Sequence, residues 1–160
     1  MTTTPSLQIG QKIPSFSLEA TNGHTVSEKD LTGHYTVVYF YPKDDTPGCT
    51  TEGQDFTQAY PDFKTENTVI YGVSKDSIKK HENFKSKFDF PFELISDPDE
   101  TLCKLFDVIK LKKNYGREYM GIERSTFLIN PEGELIQEWR KVKVPDHVTE
   151  VLEAVKNVKN

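Results

Sequence analysis

Residues Tyr39 to Phe56 read YFYPKDDTPGCTTEGQDF. They begin inside a longer run, YTVVYFYP from Tyr35 to Pro42, whose continuous apolar and β-branched side chains are those of a strand buried on both faces. Pro42 ends it, because proline brings no N–H to a ladder. Thr46-Pro47-Gly48-Cys49 then has the form of a helix start. Threonine is a favoured N-cap, proline is favoured at the first helical position, and Cys49 falls at the third. Phe56, Tyr60 and Phe63 recur at helical spacing, which predicts a helix from about Pro47 to Lys64. A central strand therefore hands the chain to a helix whose first turn carries a cysteine.

That position has a chemical meaning. The third residue of a helix commonly holds a carboxylate that reaches back to the N-cap, so an anion is expected there. Unpaired N–H groups and the positive end of the helix dipole favour thiolate over thiol. Gly48 leaves room for another group to approach the backbone. The alternative reading of Cys49 is a small buried hydrophobe that happens to begin a helix.

Outward from this centre, strands and helices alternate. FSLEATNGHTVS (Phe16 to Ser27) predicts a hairpin around Asn22-Gly23. NTVIYGVSKD (Asn67 to Asp76) reads as a second buried strand, and SIKKHENFKSKF (Ser77 to Phe88) as an amphipathic helix capped by Ser77. PFELIS is a third strand, followed by a short helix in DPDETLCKLFDV. STFLINPEGELIQEW (Ser125 to Trp139) predicts a hairpin, and Val148, Val151, Leu152, Val155 and Val158 form the stripe of a closing helix. The segment Ile109 to Glu123 reads as a loop leading to Arg124, its aromatics as ordinary exposed loop residues. The expected architecture is α/β, a central mixed sheet flanked by helices with an N-terminal hairpin, in one domain spanning residues 1–160.

Composition narrows the function classes. The 160 residues carry 20 basic and 25 acidic side chains, a net charge of -5, which argues against a nucleic-acid binder. No apolar run approaches the length of a membrane span. The opening MTTTPSLQIGQKIPSF lacks the basic and apolar regions of a secretory signal. Two cysteines cannot build a disulfide framework, so a reducing, cytoplasmic setting is expected.

Other chemistries find less support. Thr50, Thr51 and Glu52 follow Cys49, so there is no C-x-x-C pair for dithiol exchange. His24, His34, His81 and His147 are scattered without metal-ligand spacing and read as solvated. Asp44-Asp45 suits a turn between strand and helix better than a metal site.

PKDDTPGC contains Pro42, Thr46 and Cys49 in the P-x-x-x-T-x-x-C pattern of peroxiredoxins. The whole stretch YFYPKDDTPGCTTEGQDF resembles the bacterioferritin-comigratory, or peroxiredoxin Q, subfamily. So do YGVSKDS (Tyr71 to Ser77), FELISDPDETLCKLFDV (Phe92 to Val108) and ERSTFLINPEGEL (Glu123 to Leu135). The likeness runs from about Leu7 to the C-terminus.

The resemblance implies a thioredoxin-like fold and a thiol-dependent peroxidase that reduces hydrogen peroxide and organic hydroperoxides without metal or bound cofactor. By position, Cys49 is the peroxidatic nucleophile and Thr46 hydrogen-bonds thiolate and peroxide. Pro42 shields the site, and Arg124 stabilises both thiolate and peroxide oxygens. The backbone N–H groups of Gly48 and Cys49 complete the cradle. Members of the subfamily place a resolving cysteine five residues on, where this chain has Gln54, or in the following helix, where it has none. Cys103, in the apolar setting of Leu102, Leu105 and Phe106, reads as a buried structural residue rather than an unusual resolving thiol. The expectation is a one-cysteine enzyme, a monomer with a weak dimer left open, whose sulfenic acid is reduced by thioredoxin, glutaredoxin or glutathione. The competing reading is a redox sensor that signals through Cys49 without catalysis.

Overall fold

A computed structural model describes residues 7–159. Met1 to Ser6, part of the stretch read against a secretory signal, lie outside the described residues. The run from Tyr35 becomes β3 (Tyr35–Phe40) and occupies the middle of a five-stranded sheet. Its neighbours are β4 (Thr68–Ser74), which is parallel, and β8 (Ser125–Ile129), which is antiparallel. Beyond these lie β5 (Glu93–Ser96), parallel to β4, and β9 (Leu135–Trp139), antiparallel to β8. The sheet is therefore mixed, and β3 is buried on both sides, as its unbroken apolar sequence requires.

Alternation along the strands sorts the core into two layers. Val37, Tyr39 and Leu128 join a layer with Phe56 and Phe63 of α1 (Pro47–Thr65), Phe84 of α2 (Ile78–Phe88) and Val148, Val151 and Val155 of α4 (His147–Lys159). Val38, Phe40, Phe127 and Ile129 join the other, with Leu102 and Cys103 of α3 (Thr101–Leu105). The same layer takes in Ala20 and Val26, from and beside the N-terminal hairpin of β1 (Ser17–Glu19) and β2 (Thr25–Ser27). That hairpin turns through Asn22 and Gly23, both at positive φ, as an Asn-Gly turn demands. A short 3-10 helix (Glu28–Leu31) follows it. Among the described residues no helix is long and apolar enough to cross a membrane.

Three expectations need correction. Ile109 to Glu123 is not a loop but a two-stranded hairpin, β6 (Ile109–Asn114) paired with β7 (Arg117–Ile122). Its turn residues Tyr115 and Gly116 both take positive φ, 51° and 77°, the geometry of a tight hairpin turn. Charges on both strands hid the alternation. His81 and His147 are buried, not solvated. Each opens an apolar stripe, His81 with Phe84 and Phe88, His147 with Val148 and Val151, and each is held by internal hydrogen bonds, His81 through both ring nitrogens and His147 through Nε2. Val158, by contrast, is exposed at the frayed end of the α4 stripe.

Candidate active site

The register of the sheet assembles the site. Phe40 pairs with Ser125, so the next positions outward, Tyr41 and Arg124, share the end of the sheet where the chain leaves β3 for α1. Thr46 is the N-cap of α1, in extended conformation, and Pro47 occupies the first helical position. Thr50 N–H is bonded to Thr46 O at 2.8 Å. Gly48 and Cys49 are then left with first-turn N–H groups that have no acceptor among the described residues, as helix geometry dictates.

Cys49 is buried, and its Sγ lies 3.4 Å from Nη2 of Arg124. The other arm of the guanidinium, Nη1, donates to Glu52 Oε1 at 2.6 Å. Gly48 leaves room for this approach, since a Cβ there would come within 3.1 Å of Nη2. Glu52 stands one helical turn beyond Cys49 on the same face of α1 and is wholly buried. Burial pushes its carboxyl up to about 7 against the downward pull of Arg124. Its second oxygen, Oε2, and the Tyr39 hydroxyl are buried without partners in the same layer. The Tyr39 ring stacks on Phe56 at 4.6 Å and walls the site from beneath.

Nearby, Thr126 Oγ1 and His147 Nε2 are 2.8 Å apart. Burial, and then the charge of Arg124, push the His147 imidazole down to about 4, so it is neutral at physiological pH. Burial and Arg124 also lower the Lys112 amine, which puts that residue of β6 within the field of the guanidinium.

Thr46 departs from one expectation. Its side chain makes no cap hydrogen bond, and its hydroxyl donates to Lys43 O at 2.9 Å. The cap is backbone only, with the hydroxyl turned into the connecting loop. Pro42 lies exposed after the end of β3.

The connecting loop is fixed by a buried polar network. Tyr41 Oη donates to Asp44 Oδ1 at 2.6 Å, while Asp44 Oδ2 lies 2.6 Å from His81 Nδ1. His81 Nε2 lies 2.9 Å from Ile95 O, an atom that only accepts, so Nε2 carries a proton. Asp76 binds the Asp44 N–H and the Ser74 hydroxyl. Asp44, Asp76 and His81 bring potential ligand atoms within 4.8 Å of one another. Those atoms are engaged in bonds that tie the loop to β4, β5 and α2.

Cys103 lies in the other core layer, behind the sheet. Burial and the adjacent Asp97 push its thiol far above the ordinary value. A disulfide requires Cα atoms within about 7 Å, and a sheet stands between the two sulfurs.

The AhpC/TSA family profile matches residues 9–138, most of the chain. The chain belongs to the AhpC/TSA family. Among relatives in this family, peroxiredoxin Bcp of Bacillus subtilis is 55% identical over 153 residues, 96% of this chain and 98% of its own length. Peroxiredoxin Bcp of Xanthomonas campestris is 53% identical over 139 residues, 87% of each chain. Two solved structures share the architecture. The Xanthomonas campestris bacterioferritin comigratory protein, studied for alkyl peroxide reduction, superposes with a TM-score of 0.87 at 50% identity, over 91% of this chain and 92% of its own. A Xylella fastidiosa PrxQ mutant does so with a TM-score of 0.92 at 42% identity, over 98% and 100%. The fold is thioredoxin-like and the activity is that of a peroxiredoxin, a thiol-dependent peroxidase acting on a peroxide with a thiol reductant.

Of the residues singled out in the sequence, Cys49, Gly48 and Arg124 are brought together here with Thr46 at the N-cap of the same helix, while Glu52, Tyr39 and His147, which the sequence reading did not single out, adjoin them. The signal for Glu52 was present: a charged residue in the apolar stripe of α1, three positions beyond Cys49 and four before Phe56.

Proposed function

We propose that Cys49 is the peroxidatic nucleophile of a one-cysteine peroxidase acting on hydrogen peroxide and organic hydroperoxides. The observation that carries this is the divided guanidinium of Arg124, with one arm 3.4 Å from Cys49 Sγ and the other held by buried Glu52. Thiolate attack on the terminal peroxide oxygen forms an S–O bond and breaks O–O. Cys49 becomes a sulfenic acid, and the alkoxide or hydroxide takes a proton and leaves as alcohol or water. Charge grows on the departing oxygen, where Arg124 and the N–H groups of Gly48 and Cys49 offer fixed donors. The Thr46 hydroxyl, donating to Lys43 O, keeps its lone pairs for the proton of an incoming hydroperoxide. Pro42 narrows access for water beside the loop. The alkyl peroxide reduction studied in the Xanthomonas campestris relative supports organic hydroperoxides as substrates.

An external thiolate then attacks the sulfenic sulfur and expels hydroxide. A second thiol attacks the mixed disulfide to restore Cys49, with thioredoxin, glutaredoxin or glutathione as donor. Cys103 takes no part, being in the opposite core layer, and the working unit is a monomer folded as one domain in a reducing, cytosolic setting. The sensor reading is not favoured, since a sensor has no need of a guanidinium over the leaving oxygen. Mass spectrometry of peroxide-treated protein tests the scheme. Cys49 should trap as sulfenic acid or as a mixed disulfide with added thiol. Oxidation that persists in Cys49→Ser, or an internal Cys49–Cys103 disulfide, overturns it.

A further inference from the structure

The hairpin β6–β7 plays no part in this chemistry, yet its surface is unusual for the chain. Of the large hydrophobic residues exposed among the described residues, Leu111, Tyr115, Tyr119 and Met120 all lie on it or in its turn, with only Ile9 and Val158 elsewhere. Leu111 and Met120 face each other across the ladder, 56% and 58% exposed, forming an apolar pair that no element among the described residues covers. Around them, Ile109 to Ile122 carries four basic residues, Lys110, Lys112, Lys113 and Arg117, against one acid, Glu118, in a protein of net charge -5; Lys110 is paired with Asp107 at 3.0 Å and Lys113 with Glu118 at 3.6 Å, and the arm keeps a net positive charge. The base of the arm is rigid: Ile122 is buried, Glu123 N–H donates to Val108 O at 2.7 Å, and the next residue is Arg124. The arm thus rises from the rim of the site.

We propose that this arm is the docking surface for a protein reductant, an acidic-faced dithiol protein that presents its thiol to oxidised Cys49. The proposal rests on the one-cysteine peroxidase reading above. Three observations select this occupant. An apolar pair ringed by lysines fits a partner with an apolar patch and an acidic border. A second copy of this chain meeting the arm across a two-fold axis would set its lysines against the same lysines. A small thiol such as glutathione covers only a fraction of an arm whose six-residue strands extend roughly 20 Å.

The test uses purified thioredoxin, with its reductase and NADPH, as the acidic dithiol probe, compared with dithiothreitol and glutathione. Two variants are made, Lys113→Glu and Leu111→Glu/Met120→Glu. The Lys113 side chain is 72% exposed and pairs at 3.6 Å with Glu118, itself 60% exposed, so its replacement removes only a surface ion pair of small worth and should leave the fold intact. Each variant should raise the KM for thioredoxin at least tenfold. Single-turnover oxidation by peroxide and turnover with dithiothreitol should stay within twofold of wild type, and the wild-type KM should rise with salt. The docking proposal is overturned by a thioredoxin KM within twofold of wild type in Lys113→Glu, or by turnover with glutathione but not thioredoxin. It is also overturned if sedimentation shows a dimer that the substitutions dissolve. Failure of peroxide to oxidise wild-type Cys49 would instead defeat the peroxidase reading, and is seen separately in the single-turnover step.

Discussion

Arg124 divides one guanidinium between the sulfur proposed to react and a buried carboxylate. Lysine keeps the charge but cannot hold both partners, so Arg124→Lys should lower the peroxide rate constant by about 100-fold, the usual loss on removing a fixed donor from a developing anion. Stopped-flow oxidation measures it, and an unchanged rate refutes the role. Glu52 and His147 flank the same guanidinium with opposite pH behaviour. Glu52 is raised from 4.5 to about 7, so its contribution to stability is complete below pH 4.5 and is lost as pH rises to 7. His147 is lowered from 6.5 to about 4, so its contribution is complete above pH 6.5 and is lost as pH falls to 4. Each ramp amounts to about 3 kcal/mol, and in the wild type they offset one another. Urea unfolding across pH 4–7 should therefore show stability falling with pH in His147→Gln and rising with pH in Glu52→Gln. Parallel profiles in all three proteins would refute the opposition.

At the scale of elements, α1 carries both the proposed nucleophile and the group that fixes the arginine. Its seating on the sheet allows little change: a Cβ at Gly53 would collide with the Phe90 ring. Gly53→Ala should cost about 1–3 kcal/mol, the range for overpacking, read as a lowered urea midpoint with unchanged slope. Retained stability would show that Phe90 yields. The strand, the proline and the cysteine that define this element were legible because each has a local cause. So were the Asn22-Gly23 hairpin and the Ser77 cap, whose hydroxyl accepts from Lys80 N–H. The β6–β7 hairpin was not, because only its base, Ile109 and Ile122, meets the core, and periodicity is visible only where one side is buried along the strand. The pairing of Arg124 with Glu52 was equally hidden. It depends on the antiparallel register of β3 and β8, which joins residues 72 positions apart. The buried histidines escaped notice because their partners, Asp44 and Thr126, lie on other elements.

Across the whole molecule, the mixed sheet separates two cysteines of different character. Cys49 lies on α1 beside a cation, while Cys103 lies behind β3 and β8 with a carboxylate for company. Cys103→Ser should retain multi-turnover peroxidase activity with external thiol, within about twofold of wild type, at a stability cost of about 1–2 kcal/mol for burying a hydroxyl. Loss of turnover with intact sulfenic acid formation would mean that the wall opens and Cys103 resolves. With the sheet closed, the oxidising equivalent taken from each peroxide has nowhere in the chain to be set aside. The fate of Cys49 becomes a race between two concentrations, since a second peroxide drives it to sulfinic acid whenever outside thiol arrives late. The fraction of protein lost to that reaction would thus record the ratio of peroxide to reductant in its surroundings.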